Sequence, residues 1–308
     1  TIMTTRYIQI VRSTAHEAAD TMRRTAPKPV ARRRRRTKKR RRPVRLLLAL
    51  LALAAAVWAG LRLADGARAE ADWAARGIGV QEGTAAAITR FDHQDQRVHD
   101  ILDAPEAYPA AYLDLLARNS ETLDFVLGYP AHHGDAPAQS LTEPLDTVPL
   151  LLQWDMRWGY QPYGESTVAV SGCAPVCVAM AASHLTGNAA VTPYRVAQYA
   201  AQQGYYVPGQ GTSWSLLSEG ASAFGITCRQ LSPDKAQIDA ALDAGHPVIC
   251  SMAPGDFTTE GHFIVLYGRT EDGYLVRDPN SIARSEKTWS FDRLSGQFAA
   301  LWECTAAG

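Results

Sequence analysis

The chain of 308 residues reads as an α+β fold in its second half, on three observations. An apolar helical stretch opens at Gly172-Cys173-Ala174-Pro175, and further helical segments follow at 193–203, 214–224 and 233–244. Strand-like runs come later, at 226–231, 247–252, 263–267 and 274–276. The turn signal Asp272-Gly273 joins the last two runs, so they fold back antiparallel. Helices first and an antiparallel sheet afterwards is an α+β order, not the alternation of a parallel α/β sheet.

Each element has a local cause. Ser171 or Gly172 can cap the first helix, and Pro175 is tolerated only in a first turn, where its missing N–H leaves nothing unpaired. Val176, Met180 and Ala181 form the apolar face, and Gly187 is the C-terminal cap. Cys173 therefore falls at the positive end of a helix, where unpaired N–H groups favour a thiolate. Cys177, one turn on, reads as core or disulfide-bonded. The three later helices are each bounded by Gly or capped by Thr, Ser or Asp.

Folding the chain at Asp272-Gly273 sets His262 opposite residues 278–280. Asp278 can then accept the imidazole Nδ1 hydrogen and leave the other nitrogen for a thiol. Asn280 is the rival orienter, and a turn cap at Pro279 is the purely structural reading of Asp278. Thiol, imidazole and carboxylate come in the order of a Cys-His-Asp hydrolase. Gln153, in the aromatic-rich stretch Leu151-Leu152-Gln153-Trp154-Asp155-Met156-Arg157-Trp158-Gly159-Tyr160, is either an oxyanion donor beside the Cys173 N–H or a surface residue. A zinc site from Cys173, Cys177 and His184 lacks a second close pair and would consume the nucleophile, so no metal or cofactor is expected.

Five motifs carry a resemblance: Gln153-Trp154-Asp155 with Trp158-Gly159-Tyr160, then Ser171-Gly172-Cys173-Ala174-Pro175, Gly211-Thr212-Ser213-Trp214, Gly261-His262-Phe263-Ile264-Val265 and Asp278-Pro279-Asn280. In this order they resemble a papain-like cysteine peptidase, of the family-thirty-nine-like group related to double-glycine peptidases that process bacteriocin leaders. The resemblance covers roughly residues 148–304. It implies a papain-like α+β fold, with N-terminal helices packed on an antiparallel sheet. It also implies Cys173 as nucleophile, His262 as general base, Asp278 as its orienter and Gln153 as oxyanion donor. Substrate contacts are expected from Trp154, Ala174, Trp214, Gly261 and Asn280. Two departures stand out: Ala174 occupies a position where the family usually has Gly, and a loop of about 20 residues separates Gln153 from the cysteine, unlike the transporter-linked members. The machinery is carried over; cleavage after a double glycine is not.

Charge and hydropathy divide the rest. Residues 1–45 hold 16 of the 31 Lys and Arg but only 2 of the 31 Asp and Glu. Such a run can bind nucleic acid. The uncharged run Leu46–Leu61 directly after it favours a membrane anchor instead. Four segments are expected: a basic cytoplasmic arm (1–43), a transmembrane signal-anchor helix (44–64), a helical spacer (65–147) and the peptidase domain (148–308). A basic flank holds the N-terminus in the cytoplasm and places the domain beyond the membrane; cleavage near Ala67-Arg68-Ala69 is the alternative. Helices at 106–116 and 120–127, ended by Gly128-Tyr129-Pro130, make the spacer either a docked segment or a pro-segment.

Five cysteines suit one catalytic thiol and up to two disulfides among Cys177, Cys228, Cys250 and Cys304. The expected partner is a peptide or protein substrate, with no nucleic acid. A peptidoglycan amidase or endopeptidase, an acyl transferase, and a non-catalytic binding module are the competing readings.

Overall fold

The structure, a computed structural model, describes residues 41–92 and 94–308; the expected basic arm lies outside them as far as residue 40. Helix α1 (Arg41–Ala75) is continuous over 35 residues. Its stretch Val44–Ala75 is long and apolar enough to cross a membrane, and Leu46, Leu50, Leu53 and Leu61 are exposed on it. The segment expected as the anchor, 44–64, lies within this longer helix. Ala-rich sequence carries the helix through Asp65-Gly66, and Gly66 packs closely on Ala86.

Residues Trp58–Gly308 form one compact unit. The segment expected as a spacer is a folded layer of that unit. Trp73, Ile88, Ile101, Leu113, Leu116, Phe125 and Val126 are buried in one cluster with Trp154, Tyr160 and Ala169. Two of its helices are α2 (Ala110–Arg118) and α3 (Leu123–His132). Helix α3 runs through the expected stop at Gly128 and Pro130. Gly128 is there for contact: a Cβ would lie 2.8 Å from Met156 Cε and 3.0 Å from Tyr160 Oη. Pro130 removes only one late hydrogen bond, because the helix ends two residues on. Tyr160 stacks on Phe125 at 4.4 Å and donates to its carbonyl at 2.6 Å, fastening the layer to the loop that precedes Cys173.

The sheet has six antiparallel strands: β1 (Ile226–Leu231), β2 (Val248–Met252), β3 (His262–Thr270), β4 (Gly273–Arg277), β5 (Thr288–Trp289) and β6 (Phe298–Ala306). Their spatial order is β1-β6-β2-β3-β4-β5. Helices α4 (Cys173–Thr186) and α5 (Pro193–Gln202) share a core with one face, through Ile249, Phe263 and Val265. Helix α6 (Lys235–Asp243) shares a core with the other, through Val248, Cys250, Ile264 and Leu266. Alternate residues of β2 and β3 thus point to different cores, which is why their sequences read as unbroken apolar runs.

Of the up to two disulfides allowed by the cysteine count, none is formed, and all five cysteines are free thiols. Cys228 and Cys304 are paired across β1 and β6 with their sulfurs 2.7 Å apart. Burial pushes the Cys177 and Cys250 thiols up.

Gly159 tests the seam between layer and domain. A Cβ there would meet Phe125 Cε2 at 2.6 Å and the Asp155 carbonyl at 2.9 Å. Gly159→Ala should destabilise the folded unit by about 1–3 kcal/mol in denaturant unfolding. A change within error would mean that the two parts are not tightly packed.

Candidate active site

Gly172 caps helix α4 and donates its N–H to the Val168 carbonyl at 2.9 Å. A Cβ at Gly172 would lie 2.5 Å from that carbonyl oxygen, so the approach requires glycine. Cys173 follows as the first helical residue, half-buried, where the leading N–H groups have no carbonyl partner within the helix. Pro175 occupies the first turn, and Gly187 ends the helix at φ 66°, both as expected.

His262 is the first residue of β3, opposite Met252 of β2. On its other side Val265 pairs with Arg277, which sets residue 262 against the chain just beyond β4. His262 is nearly buried and Asp278 wholly so. The imidazole Nε2 meets Asp278 Oδ1 at 2.7 Å. The nitrogen thus differs from the one expected. Strand pairing fixes which residues face one another but not which ring edge; here Asp278 meets the outer edge, leaving Nδ1 for the thiol.

Asp278 is held by donors on both oxygens. The Asn280 N–H donates to Oδ1 at 2.8 Å and Arg284 Nε to Oδ2 at 2.5 Å. The Asp278 N–H donates to Ser285 Oγ at 2.8 Å. Burial works against the carboxylate, but His262 and Arg284 hold its pKa below the usual range. Burial alone would lower the His262 pKa. The charge and hydrogen bond of Asp278, with a hydrogen bond and charge from Cys173, outweigh burial and raise it to about 10.

Cys173 and His262 open into a cleft of about 910 Å³. Its walls include Ser251, Glu260, Gly261 and the hairpin pairing Tyr206–Val207 with Gly211–Thr212. Trp214, 47% exposed, stands in the wall with its edge on Trp302. The N-terminal layer contributes Gln81 and Arg118.

Of the expected substrate contacts, Trp214 and Gly261 line this cleft and three others do not. Ala174 is buried in the core beneath Cys173, because the next residue of a helix turns away from its neighbour's face. Trp154 is buried and its Nε1 donates to the Asn280 carbonyl at 3.2 Å. That carbonyl also accepts from Asn119 Nδ2 at 2.6 Å, so Asn280 braces the loop, and Asp278 takes the imidazole. Gln153 donates its N–H to the Pro279 carbonyl at 2.7 Å and Nε2 to the Ala169 carbonyl at 2.6 Å; its buried Oε1 has no partner. It is tied to the Asp278 loop but is not among the residues lining the cleft.

Arg284, Ser285, Ser281 and Glu121 did not stand out in the sequence. Ser281 caps the turn Ile282–Ser285, and such a cap just after Asp278-Pro279-Asn280 was the available signal. Four residues are too few for a helical period to show. No group of three or more His, Cys, Asp or Glu among the described residues is placed to hold a metal ion.

The model of the Peptidase_C39 like family matches residues 145–307, more than half of the chain. The chain belongs to this family. The match spans β1 to β6, Cys173, His262 and Asp278, and the mixed helix-and-sheet fold is the one expected. No curated protein matches. Among solved structures, the chain is similar to the peptidase domain of Streptococcus ComA, a bi-functional ABC transporter involved in a quorum sensing pathway. The identity is 21% and the TM-score 0.35, over 45% of this chain and 93% of that one. It is also similar to a chain described as a C39-like peptidase from Bacillus anthracis, at 15% identity and TM-score 0.32, over 52% and 96%.

The raised His262 pKa gives stability a defined pH dependence. Its contribution is complete below the ordinary value of 6.5 and is lost as pH rises through about 10. The urea midpoint should therefore fall across that interval, and Asp278→Asn should flatten the fall. A midpoint that holds constant to pH 10 in the unaltered protein would contradict the paired geometry.

Proposed function

We propose that the chain is a membrane-anchored thiol peptidase that cleaves peptide bonds outside the cytoplasm with Cys173, His262 and Asp278. The observation that carries this reading is the nearly buried His262, bonded to Asp278 and opening with Cys173 into one cleft. The Cys173 thiolate attacks the peptide carbonyl carbon, and His262 holds the proton as an imidazolium. The Cys173 N–H receives the oxyanion, and Gln153 is its proposed second donor, which requires Nε2 to turn from the Ala169 carbonyl into the cleft. His262 Nδ1 then protonates the leaving amine, and the carbon–nitrogen bond breaks to leave a thioester on Cys173. A water gives its proton to His262 and attacks the thioester, which frees the acid and the thiolate. Asp278 stays ionised throughout and keeps Nε2 protonated.

Helix α1 supplies the anchor, and the basic flank before it keeps the N-terminus in the cytoplasm. The cleft then faces substrates on the far side.

Incubating the full chain with a peptide library tests the activity: the unaltered protein should cleave, and Cys173→Ala should not, at an unchanged unfolding midpoint. Turnover by the alanine variant would dismiss the nucleophile. In the same assay Gln153→Ala should lower kcat by roughly 10²-fold and change KM much less. An effect on KM alone would make Gln153 a substrate contact. A membrane-impermeant iodoacetamide added to intact cells should label Cys173, the one thiol of the five that is not buried. Protection until lysis would reverse the orientation.

A further inference from the structure

Asp278 is held in place from a distant part of the chain. Glu121 lies in the short turn between α2 and α3 of the N-terminal layer. Both of its carboxylate oxygens reach the loop after β4. Oε1 accepts from Ser281 Oγ at 2.7 Å and from the Ala283 N–H at 3.3 Å, and Oε2 accepts from the Ile282 N–H at 2.6 Å. These groups begin the turn Ile282–Ser285, which carries Arg284 and Ser285. Arg284 donates to Asp278 Oδ2, and Ser285 Oγ accepts the Asp278 N–H. Asn119, two residues before Glu121, fastens the same loop at the Asn280 carbonyl.

We infer that Glu121 is a positioning residue of the active site, and that the N-terminal layer is a permanent part of the enzyme, not a removable pro-segment. This rests on the proposed Cys173–His262–Asp278 chemistry and adds the element that keeps Asp278 in register. The physical chain is short. Asp278 is fully buried, so it stays ionised only while its donors are in place. Arg284 is one of those donors, and its turn is anchored through Ser281 and the Ile282 N–H. Without Glu121 the two first N–H groups of the turn lose their acceptor, and the turn keeps the bonds of its own loop and that of Trp289 Nε1 to the Arg284 carbonyl. A carboxylate displaced from Nε2 no longer sustains the imidazolium, and the His262 pKa falls.

The test measures that pKa without relying on peptide turnover. Iodoacetate is an anion, so it alkylates a thiolate faster beside an imidazolium, and its rate falls as the imidazolium loses its proton. Rates at Cys173 are measured against pH on the full chain for the unaltered protein, Glu121→Ala, Glu121→Gln and Leu113→Ala. Leu113 is buried in the layer and makes no hydrogen bond to the Asp278 loop through its side chain, so its variant reports simple loss of stability. Glu121→Ala should move the falling limb down by roughly one pH unit, the scale of a weakened opposite charge. Glu121→Gln retains one acceptor oxygen and should move it less. Leu113→Ala should leave it in place.

A folded Glu121→Ala protein with an unmoved limb would overturn the inference, and so would an unmoved limb in Glu121→Gln where the alanine variant does not fold. An equal shift in Leu113→Ala would reduce Glu121 to a structural role. Absence of a falling limb in the unaltered protein would remove the thiol–imidazole pair and this inference with it. A limb that shifts as expected in a protein that cleaves no peptide would leave the positioning role standing and reject the peptidase reading.

Discussion

A carboxylate sealed from water survives as an anion only if donors surround it, and Asp278 is such a carboxylate. Removing one partner of a buried pair leaves an uncompensated charge, at about 3–5 kcal/mol. Its donors come from three places: His262 at the start of β3, the Asn280 N–H in its own loop, and Arg284 in the following turn. Each place needs support of its own. The pairing of β2, β3 and β4 brings His262 to the end of the hairpin. The layer before residue 148 supports the turn through Glu121 and the loop through Asn119. Sheet, loop and layer are therefore all involved in setting one imidazole against the thiol on helix α4.

Much of this was legible because it is local. Gly172, Pro175 and Gly187 mark the ends of α4, so the position of Cys173 at a helix start follows from neighbours in the chain. The Asp272-Gly273 turn and two apolar runs set residue 262 against residues just past the second strand. The bulge between Leu266 and Gly268 shifts the pairing by one residue at that end, which brings residue 262 opposite 280. The ring nitrogen was not legible, since a strand register fixes backbones and leaves χ angles free. Nor were the roles of Ala174, Trp154 and Asn280, because adjacency to a functional residue in sequence says little about which side chain faces the cleft. The layer was half legible, as either a docked segment or a pro-segment. Its helices are short, and Gly128 and Pro130 carry the composition of a stop. Packing against Tyr160 and Met156, residues remote in the sequence, decides the matter.

The layer also gives a physical reason for the length of the chain between α1 and Cys173. Trp73, near the end of α1, is buried and donates its Nε1 hydrogen to the Leu102 carbonyl. The compact unit therefore begins within α1, with no free linker between the end of that helix and the layer.

The protonation state of His262 decides most directly whether Cys173, His262 and Asp278 work as one unit. The ¹⁵N spectrum of the full chain near pH 7.5 reports it without any substrate. A ring bonded to Asp278 through Nε2 and paired with a thiolate through Nδ1 carries protons on both nitrogens, and blocking Cys173 as a mixed disulfide should lower the pH at which one is lost. A neutral ring with a single protonated nitrogen at that pH, unchanged by blocking Cys173, would contradict the arrangement.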